Sequence, residues 1–255
     1  MISVLITNYN KSKFLKKTLR SVELNNFKKC EIILFDDAST DDSLELLKQF
    51  KNIRLIKNKK KIHKSPALNQ IYGILQCFKI SKGSKICLLD GDDSFTKKKL
   101  ILVDRKLNKK NIDCIFHLPK DSKKRFYLKS KNVNYSIWPT IIPTSCISFK
   151  RIFFIKFLKF LKRNDYENLE IDARLTIFSK FYLNQFNVIP NKLTFYGFDK
   201  NGITTGIKKF SMKWWIRRHE AFQYLRFILK MKKKPFKASI DYYLTCFIFF
   251  ICKNF

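Results

Sequence analysis

The sequence predicts an α/β fold: a mostly parallel sheet with helices on both faces. Two observations carry that prediction. Short apolar, β-rich runs alternate with amphipathic helical stretches four times within about the first 110 residues, and three of the runs end in polar or acidic clusters. In a parallel sheet all three clusters fall on one edge, at the carboxyl ends of the strands, where such sheets bind ligands.

The elements follow in order. Residues 2–7 form a first strand that ends in the turn cluster Asn8-Tyr9-Asn10, and residues 11–24 a helix with Phe14, Leu15, Thr18, Leu19 and Val22 on one face. Residues 31–35 are the second strand, Asp36 to Asp42 the second polar cluster, and residues 43–50 a helix whose first-turn acids suit its dipole. A third strand spans 53–56. Ser65-Pro66, a cap followed by proline at the first helical position, opens a helix buried through Leu68, Ile71, Tyr72, Leu75 and Phe78. Residues 85–89 are the fourth strand, stopping at Asp90-Gly91-Asp92-Asp93. A helix over 97–108 turns Leu100, Val103 and Leu107 inward, and residues 114–118 are the fifth strand. The second half is less regular. Residues 119–143 read as loop and short strands, 145–149 as a strand, 170–181 as a helix, 193–197 as a short strand, 199–206 as a polar loop, and 212–231 and 236–252 as two closing helices. The expected organisation is a catalytic domain over 1–208 and a helical extension over 209–255.

Composition sets limits on function. The 255 residues carry 53 Lys+Arg against 20 Asp+Glu, a net charge of +33, yet 45% are hydrophobic, enough for a packed core. The lysines are spread over many segments and accompany abundant Phe, Ile and Asn, residues with A/T-rich codons; compositional bias and a solvated surface account for them. A second reading is attraction to anionic lipid head groups or phosphorylated substrates. No zinc-finger spacing, aromatic RNA-binding motif or heptad-linked basic region is present, so no specific nucleic-acid partner is expected. The 7 cysteines lack C-x-x-C spacing and sit mostly in apolar runs, as buried reduced thiols of a cytoplasmic protein. No signal peptide is expected at the N-terminus, and the longest uncharged apolar stretch, 242–252, is too short to cross a bilayer.

The chemistry concentrates at the acidic edge. Asp90, Asp92 and Asp93 place three carboxylates within four residues at a strand end. Such carboxylates repel one another unless a cation lies between them. A hard Mg2+ or Mn2+ ion held by one or two carboxylates plus substrate phosphates suits them. Gly91 leaves room for a ligand to approach the backbone.

These motifs occur together in a recognisable order. Val4-Leu5-Ile6-Thr7-Asn8-Tyr9-Asn10-Lys11, Ile32 to Asp41 and Leu88-Leu89-Asp90-Gly91-Asp92-Asp93 resemble the first strand and nucleotide loop, the second motif and the metal-binding D-x-D motif of inverting family 2 glycosyltransferases. The close resemblance covers residues 1–110 and a looser one extends to about 220. It implies the GT-A nucleotide-diphospho-sugar transferase fold, a Rossmann-like sheet, and transfer of a single sugar from a nucleotide sugar, UDP-linked by preference, to a glycan or lipid-linked acceptor. It implies that Thr7 and Tyr9 line the base pocket, with the Tyr9 ring against the uracil. Asp37 would bond the base or ribose, Asp90 and Asp92 would belong to the nucleotide-sugar site, and Asp92 and Asp93 would hold the Mn2+ or Mg2+ ion. One departure stands out: where family members often carry Ala-Arg-Asn, this chain has Ala67-Leu68-Asn69, and His63 or Lys64 is the available substitute for the arginine.

Inversion needs a general base for the acceptor hydroxyl. By resemblance it is Asp172, with Glu170 in reserve; helical spacing keeps Asp172 off the apolar face of Ile171, Leu175 and Phe178. Arg174 pairs with a neighbouring carboxylate in this reading. Pro143-Thr144-Ser145-Cys146 reads either as part of the acceptor site or as a strand-entry turn. Thr204-Thr205-Gly206 resembles a loop that closes over the diphosphate. Trp214 and Trp215 read as core packing or as a sugar platform, and Arg217, Arg218 and His219 are candidates to neutralise the leaving diphosphate. The Gln-x-x-Arg-Trp motif and membrane spans of processive synthases are absent from the sequence, which favours single-sugar transfer. The last helix, preceded by Lys232-Lys233-Lys234, either docks on the domain or lies on a membrane as a monotopic anchor. The expected location is the cytoplasm, with peripheral placement at the inner face of the cytoplasmic membrane as the second reading. The alternatives are a sugar-phosphate nucleotidyltransferase, which should carry a Gly-rich loop after the first strand, and a basic nucleic-acid-binding or non-catalytic sugar- or nucleotide-binding protein on the same fold.

Overall fold

The computed structural model describes residues 1–120, 141–161, 165–199, 202 and 206–254, with side chains to residue 251. The expected loop at 119–143 lies largely outside the described residues, as do Thr204 and Thr205. Strands β1 (Ile2–Asn8), β2 (Cys30–Asp36), β3 (Ile53–Lys57) and β4 (Lys85–Asp90) are parallel, and helices α1 (Ser12–Glu23), α2 (Ser43–Leu47) and α3 (Pro66–Ile80) make the crossovers. After β4 come β5 (Ser94–Phe95), α4 (Lys99–Leu107), β6 (Cys114–Phe116), a 3-10 turn (Thr144–Cys146), β7 (Ile147–Lys150) and α5 (Arg151–Leu158). Then follow α6 (Ile171–Ile177), a π-helical turn (Phe178–Tyr182), β8 (Thr194–Phe195), α7 (Met212–Met231) and α8 (Ile240–Asn254).

The main sheet has the order β3-β2-β1-β4-β7-β6, and β7 runs antiparallel to both its neighbours. The sheet is therefore mostly parallel, with one reversed strand inserted between β4 and β6. Strand order changes direction between β1 and β4, so their carboxyl ends border the crevice where ligands bind in open α/β sheets. The second sheet is the short antiparallel pair β5 and β8.

Period-2 side chains on the central strands feed two cores. Leu5, Ile86 and Leu88 face one core with α3, α5, α6 and α7, while Val4, Ile6, Cys87 and Leu89 face the other with α1, α2 and α4. The first core is rich in phenylalanine. Phe149 stacks on Phe154 at 5.0 Å, and Phe153, Phe157 and Phe160 pack around Phe178. Helix α7 belongs to the same core through Ala221, Phe222, Tyr224, Leu225, Ile228 and Leu229.

Caps explain two helix starts. Ser65 Oγ accepts from the Leu68 N–H, and Pro66 follows it. The last helix starts later than residue 236 because the Ser239 hydroxyl accepts the Tyr242 N–H. Helix α5 was not expected; it continues β7 with no intervening turn residues. The described cysteines, Cys30, Cys77, Cys87, Cys114, Cys146 and Cys246, are all free thiols.

Candidate functional site

Thr7, one residue before the end of β1, and Asp90, which ends β4, are register partners. Thr7 Oγ1 donates to Asp90 Oδ1 at 3.0 Å, and Gln70 Nε2, reaching in from α3, donates to the same oxygen at 2.8 Å. The Asp90 N–H donates to Ser145 Oγ at 2.9 Å, so the Thr144–Cys146 turn lies beneath the acidic turn. Ser145 is held in turn by Lys99, whose buried ammonium donates to the Ser145 carbonyl at 2.5 Å and to Thr194 Oγ1 at 3.0 Å. A Cβ at Gly91 would lie 2.7 Å from Asn8 Oδ1, so the end of β1 also approaches the backbone closely there.

Asp92 and Asp93 diverge. Asp92 Oδ2 meets Lys11 Nζ at 2.8 Å, and the same ammonium also pairs with Asp199. Asp93 turns inward, where its Oδ1 accepts the Gly197 N–H at 2.7 Å. Its Oδ2 is buried with no hydrogen-bond partner among the described residues. Gly197 must be glycine for that contact, because a Cβ would lie 1.9 Å from the Asp92 carbonyl oxygen. Burial, reinforced by Asp92, raises the Asp90 carboxyl to about 6; burial and the Asp90 charge raise Asp93 to about 8.

This donor set fits a hard divalent cation. Asp93 offers an unpartnered buried oxygen, and Asp92 already holds one cation, the Lys11 ammonium. Among the described residues no group of three or more His, Cys, Asp or Glu side chains is gathered to hold a metal. An ion held by one or two carboxylates here would complete its shell with further oxygens, as Mg2+ and Mn2+ do with water and phosphates.

The neighbouring loop positions Tyr9 and Asp37. Asp36 is consumed structurally: it accepts from Asn8 Nδ2 at 2.8 Å, from the Ser39 N–H at 2.9 Å and from Ser39 Oγ at 2.7 Å. These bonds hold a turn in which Ala38 takes a left-handed φ of 60°, an uncommon state for a residue with a Cβ. Asp37 is left facing Asn58, which donates to it at 3.2 Å, and burial raises its carboxyl above the usual range. The Tyr9 ring is half-exposed, with the Lys61 ammonium 3.3 Å from its centroid. Lys61 also draws on Asp37, so it links the two residues assigned to the base pocket. His63 is fixed differently: Asn69 accepts its N–H at 2.9 Å and donates to its carbonyl at 2.8 Å.

At the start of α6, Asp172 is buried and accepts the N–H of Ala173 at 2.7 Å. Burial, with the Glu170 charge beside it, raises its carboxyl to about 7; Arg217 opposes the shift, and the Asp90 charge adds to it. Asp172 therefore feels the charge of Asp90 at the end of β4. Glu170 is bound to Arg217 Nε at 2.5 Å. Arg174 bonds the carbonyls of Leu161, Tyr166 and Leu169 and lies within the electrostatic reach of Glu220 and Glu170. Arg218 pairs with Asp241, and His219 stacks on Phe249 at 3.9 Å. The three basic residues expected near the diphosphate thus all have structural partners. Trp215 is buried and Trp214 packs edge-on against it.

Sequence reasoning missed Lys11, Lys61, Gln70, Asp199 and Gly197. Lys11 closes the first motif, and its place there was the one local signal. The others meet the site through contacts 20 or more residues apart in sequence.

Comparison with known proteins accords with this arrangement. The Glycosyl transferase family 2 profile matches residues 3–171. Over 101 residues the chain is 34% identical to the UDP-Glc:alpha-D-GlcNAc-diphosphoundecaprenol beta-1,3-glucosyltransferase WfaP of Escherichia coli, covering 39% of this chain and 38% of that protein. It is 28% identical over 119 residues to the glycosyltransferase GlyG of Streptococcus pneumoniae, covering 45% of this chain and 38% of that one. The chain thus spans about two fifths of the length of these curated relatives. Among solved structures it resembles S. aureus TarS 1-349 in complex with UDP-GlcNAc, with a TM-score of 0.63, 16% identity, and 99% and 71% of the two chains covered. It also resembles the mannosyltransferase PcManGT of Pyrobaculum calidifontis in complex with GDP-Man and Mn2+, with a TM-score of 0.62, 16% identity, and 94% and 66% covered. The chain belongs to glycosyl transferase family 2 and has the GT-A fold.

Proposed function

We propose that this chain transfers a single sugar from a nucleotide-sugar donor, UDP-linked, to a glycan or lipid-linked acceptor with inversion at the anomeric carbon. The observation that carries the reading is the junction of β1 and β4. Thr7 and Asp90 meet there at the strand-order reversal, Asp92 and Asp93 follow in the same turn, and the Asp90 charge acts on the buried Asp172. Support for the donor class comes from TarS with UDP-GlcNAc and PcManGT with GDP-Man. Support for a lipid-linked acceptor comes from WfaP, which acts on alpha-D-GlcNAc-diphosphoundecaprenol, and such an acceptor would set the work at the cytoplasmic face of a membrane.

In this reading Thr7, Tyr9 and Asp37 receive the nucleoside, and Asp90 and Asp92 the ribose and diphosphate side. Asp92 and Asp93 would hold a Mn2+ or Mg2+ ion, which when bound would neutralise charge on the departing diphosphate. Asp172 takes the proton of the acceptor hydroxyl as its oxygen attacks the anomeric carbon. The new glycosidic C–O bond forms opposite the breaking bond to phosphate oxygen, and the nucleoside diphosphate leaves with the electron pair. The raised carboxyl of Asp172 suits a base working near neutrality. The catalytic unit is 1–208, with 209–255 packed on it.

The test is titration of UDP, GDP, ADP and CMP into the protein by calorimetry, with and without Mn2+. Metal-linked binding of one nucleotide is expected, strongest for UDP. Nucleotide binding indifferent to metal overturns the metal assignment, and no nucleotide binding overturns the whole reading.

A further inference from the structure

Helix α8 carries a surface that the transfer chemistry does not use. Ile240, Tyr243, Leu244, Phe247, Phe250 and Ile251 are all exposed, from 40% at Ile251 to 88% at Ile240. At 3.6 residues per turn they lie within an arc of about 120°. The opposite face is spent on the body of the protein. Thr245 is buried, Tyr242 packs against Phe222 and Phe236, Phe249 lies on His219, and Asp241 pairs with Arg218. The outer stripe is thus continuous, apolar and aromatic, on a helix anchored from behind.

The segment leading into α8 is strongly basic. Lys230, Lys232, Lys233, Lys234 and Lys237 are exposed, and the one acid nearby, Asp241, is neutralised by Arg218. A second copy docked face to face would bring two such lysine clusters together at a cost in repulsion. An anionic lipid surface meets both features at once, with aromatic and aliphatic side chains entering the head-group boundary and ammonium groups on the phosphates. Among the described residues no helix is long and apolar enough to cross a membrane, so contact through this helix is contact along its side.

We propose that α8 docks the protein on an anionic phospholipid bilayer, its outer stripe lying in the plane of the interface and the lysines of 230–237 on lipid head groups. This stands apart from the transfer reaction: it is tested by lipid binding, whereas the transferase reading is tested by nucleotide binding, so either can fail alone.

The experiment is flotation of the full chain with vesicles of phosphatidylcholine alone and with about one third phosphatidylglycerol added. Binding to the anionic vesicles is expected, falling as salt rises. Phe247→Ser with Phe250→Ser should weaken it at least about tenfold, since these side chains are already solvent-exposed and their loss leaves the fold intact by circular dichroism. Lys232→Gln with Lys233→Gln and Lys234→Gln should weaken it on the order of a hundredfold. A Phe247→Trp variant should blue-shift its emission with anionic vesicles and be quenched by brominated acyl chains. Absence of flotation, or flotation unchanged by the phenylalanine variants, overturns the proposal. So does a dimer in light scattering that those variants dissociate, which would assign the face to a second copy.

Discussion

The acids that end β4 and the acids that open α6 are both withdrawn from solvent, but their charges are met in different ways. At β4 the partners are an ammonium, a hydroxyl and two amides: Lys11 on Asp92, the Gly197 N–H on Asp93, Thr7 and Gln70 on Asp90. One Asp93 oxygen is left over. At α6 a guanidinium binds Glu170, while Asp172 beside it has a local backbone N–H and a raised carboxyl. A carboxylate neutralised by a flexible ammonium can exchange it for another cation. A buried carboxyl raised toward neutrality can exchange a proton. Asp90 and Asp93 are raised as well, so the separation lies in the partners: an exchangeable ammonium sits on Asp92 at β4, while Asp172 at α6 accepts a local backbone N–H, and each prediction below tests that difference.

The largest effect is expected at Asp172. Asp172→Asn keeps the shape and removes the proton acceptor, so transfer should fall about a thousandfold in kcat. Donor binding measured by calorimetry should stay within about threefold, because the proposed base does not contact the nucleotide. Equal losses in both would make Asp172 part of the donor site and erase the distinction. Asp93→Asn should do the reverse, costing about a hundredfold in metal-linked nucleotide affinity, since a charge-assisted ligand is lost where a neutral amide cannot replace it. Its thermal midpoint should hold or rise, because a buried raised carboxyl is relieved. Unchanged affinity would move the cation elsewhere.

The same contrast governs what the sequence could disclose. The β4 acids were legible because they are contiguous and end an apolar run, and β1, β2 and β4 all show that signal. Helix α7 was legible to the residue because Ser211 caps it and its buried positions recur at helical spacing. Helix α5 was not, because Arg151 follows Lys150 with no turn between strand and helix. Nor was the insertion of β7 between β4 and β6, since pairing order across a sheet leaves no local mark. Lys11 reaches Asp92 from 81 positions away and Asp199 from 188, and only the folded chain brings these together. Gly197 is similar: its reason for being glycine is the backbone of Asp92.

A smaller effect, about tenfold, is expected from pH. The proposed base Asp172 would act as a carboxylate, and burial beside Glu170 raises it to about 7. Its proton is therefore retained below that value, and kcat/KM should fall about tenfold between pH 8 and 6 and level off above 8. Its neighbours should move the inflection in opposite directions. Glu170→Gln removes the adjacent negative charge that raises Asp172 and should shift the profile toward acid. Arg217→Met removes the opposing positive charge and should shift it toward alkali, while the unpaired Glu170 lowers stability by about 3 kcal/mol. Shifts of the same sign in both variants would show that the profile reports another group, Asp90 or Asp93 being the first to test.

The smallest effect is expected at Tyr9, and it probes the fixed side of the comparison. The ring is half-exposed and covered on one face by the Lys61 ammonium. If the other face stacks on a base, Tyr9→Leu should weaken nucleotide binding about fivefold, with kcat unchanged at saturating donor. Lys61→Met should then weaken binding through a different route: it removes the cation that draws Asp37 down, and Asp37 keeps its proton to higher pH. Nucleotide affinity in Lys61→Met should accordingly depend on pH more steeply than in Tyr9→Leu. Identical pH dependence in the two variants would mean that Lys61 acts on the ring alone and that Asp37 lies outside the nucleotide's reach.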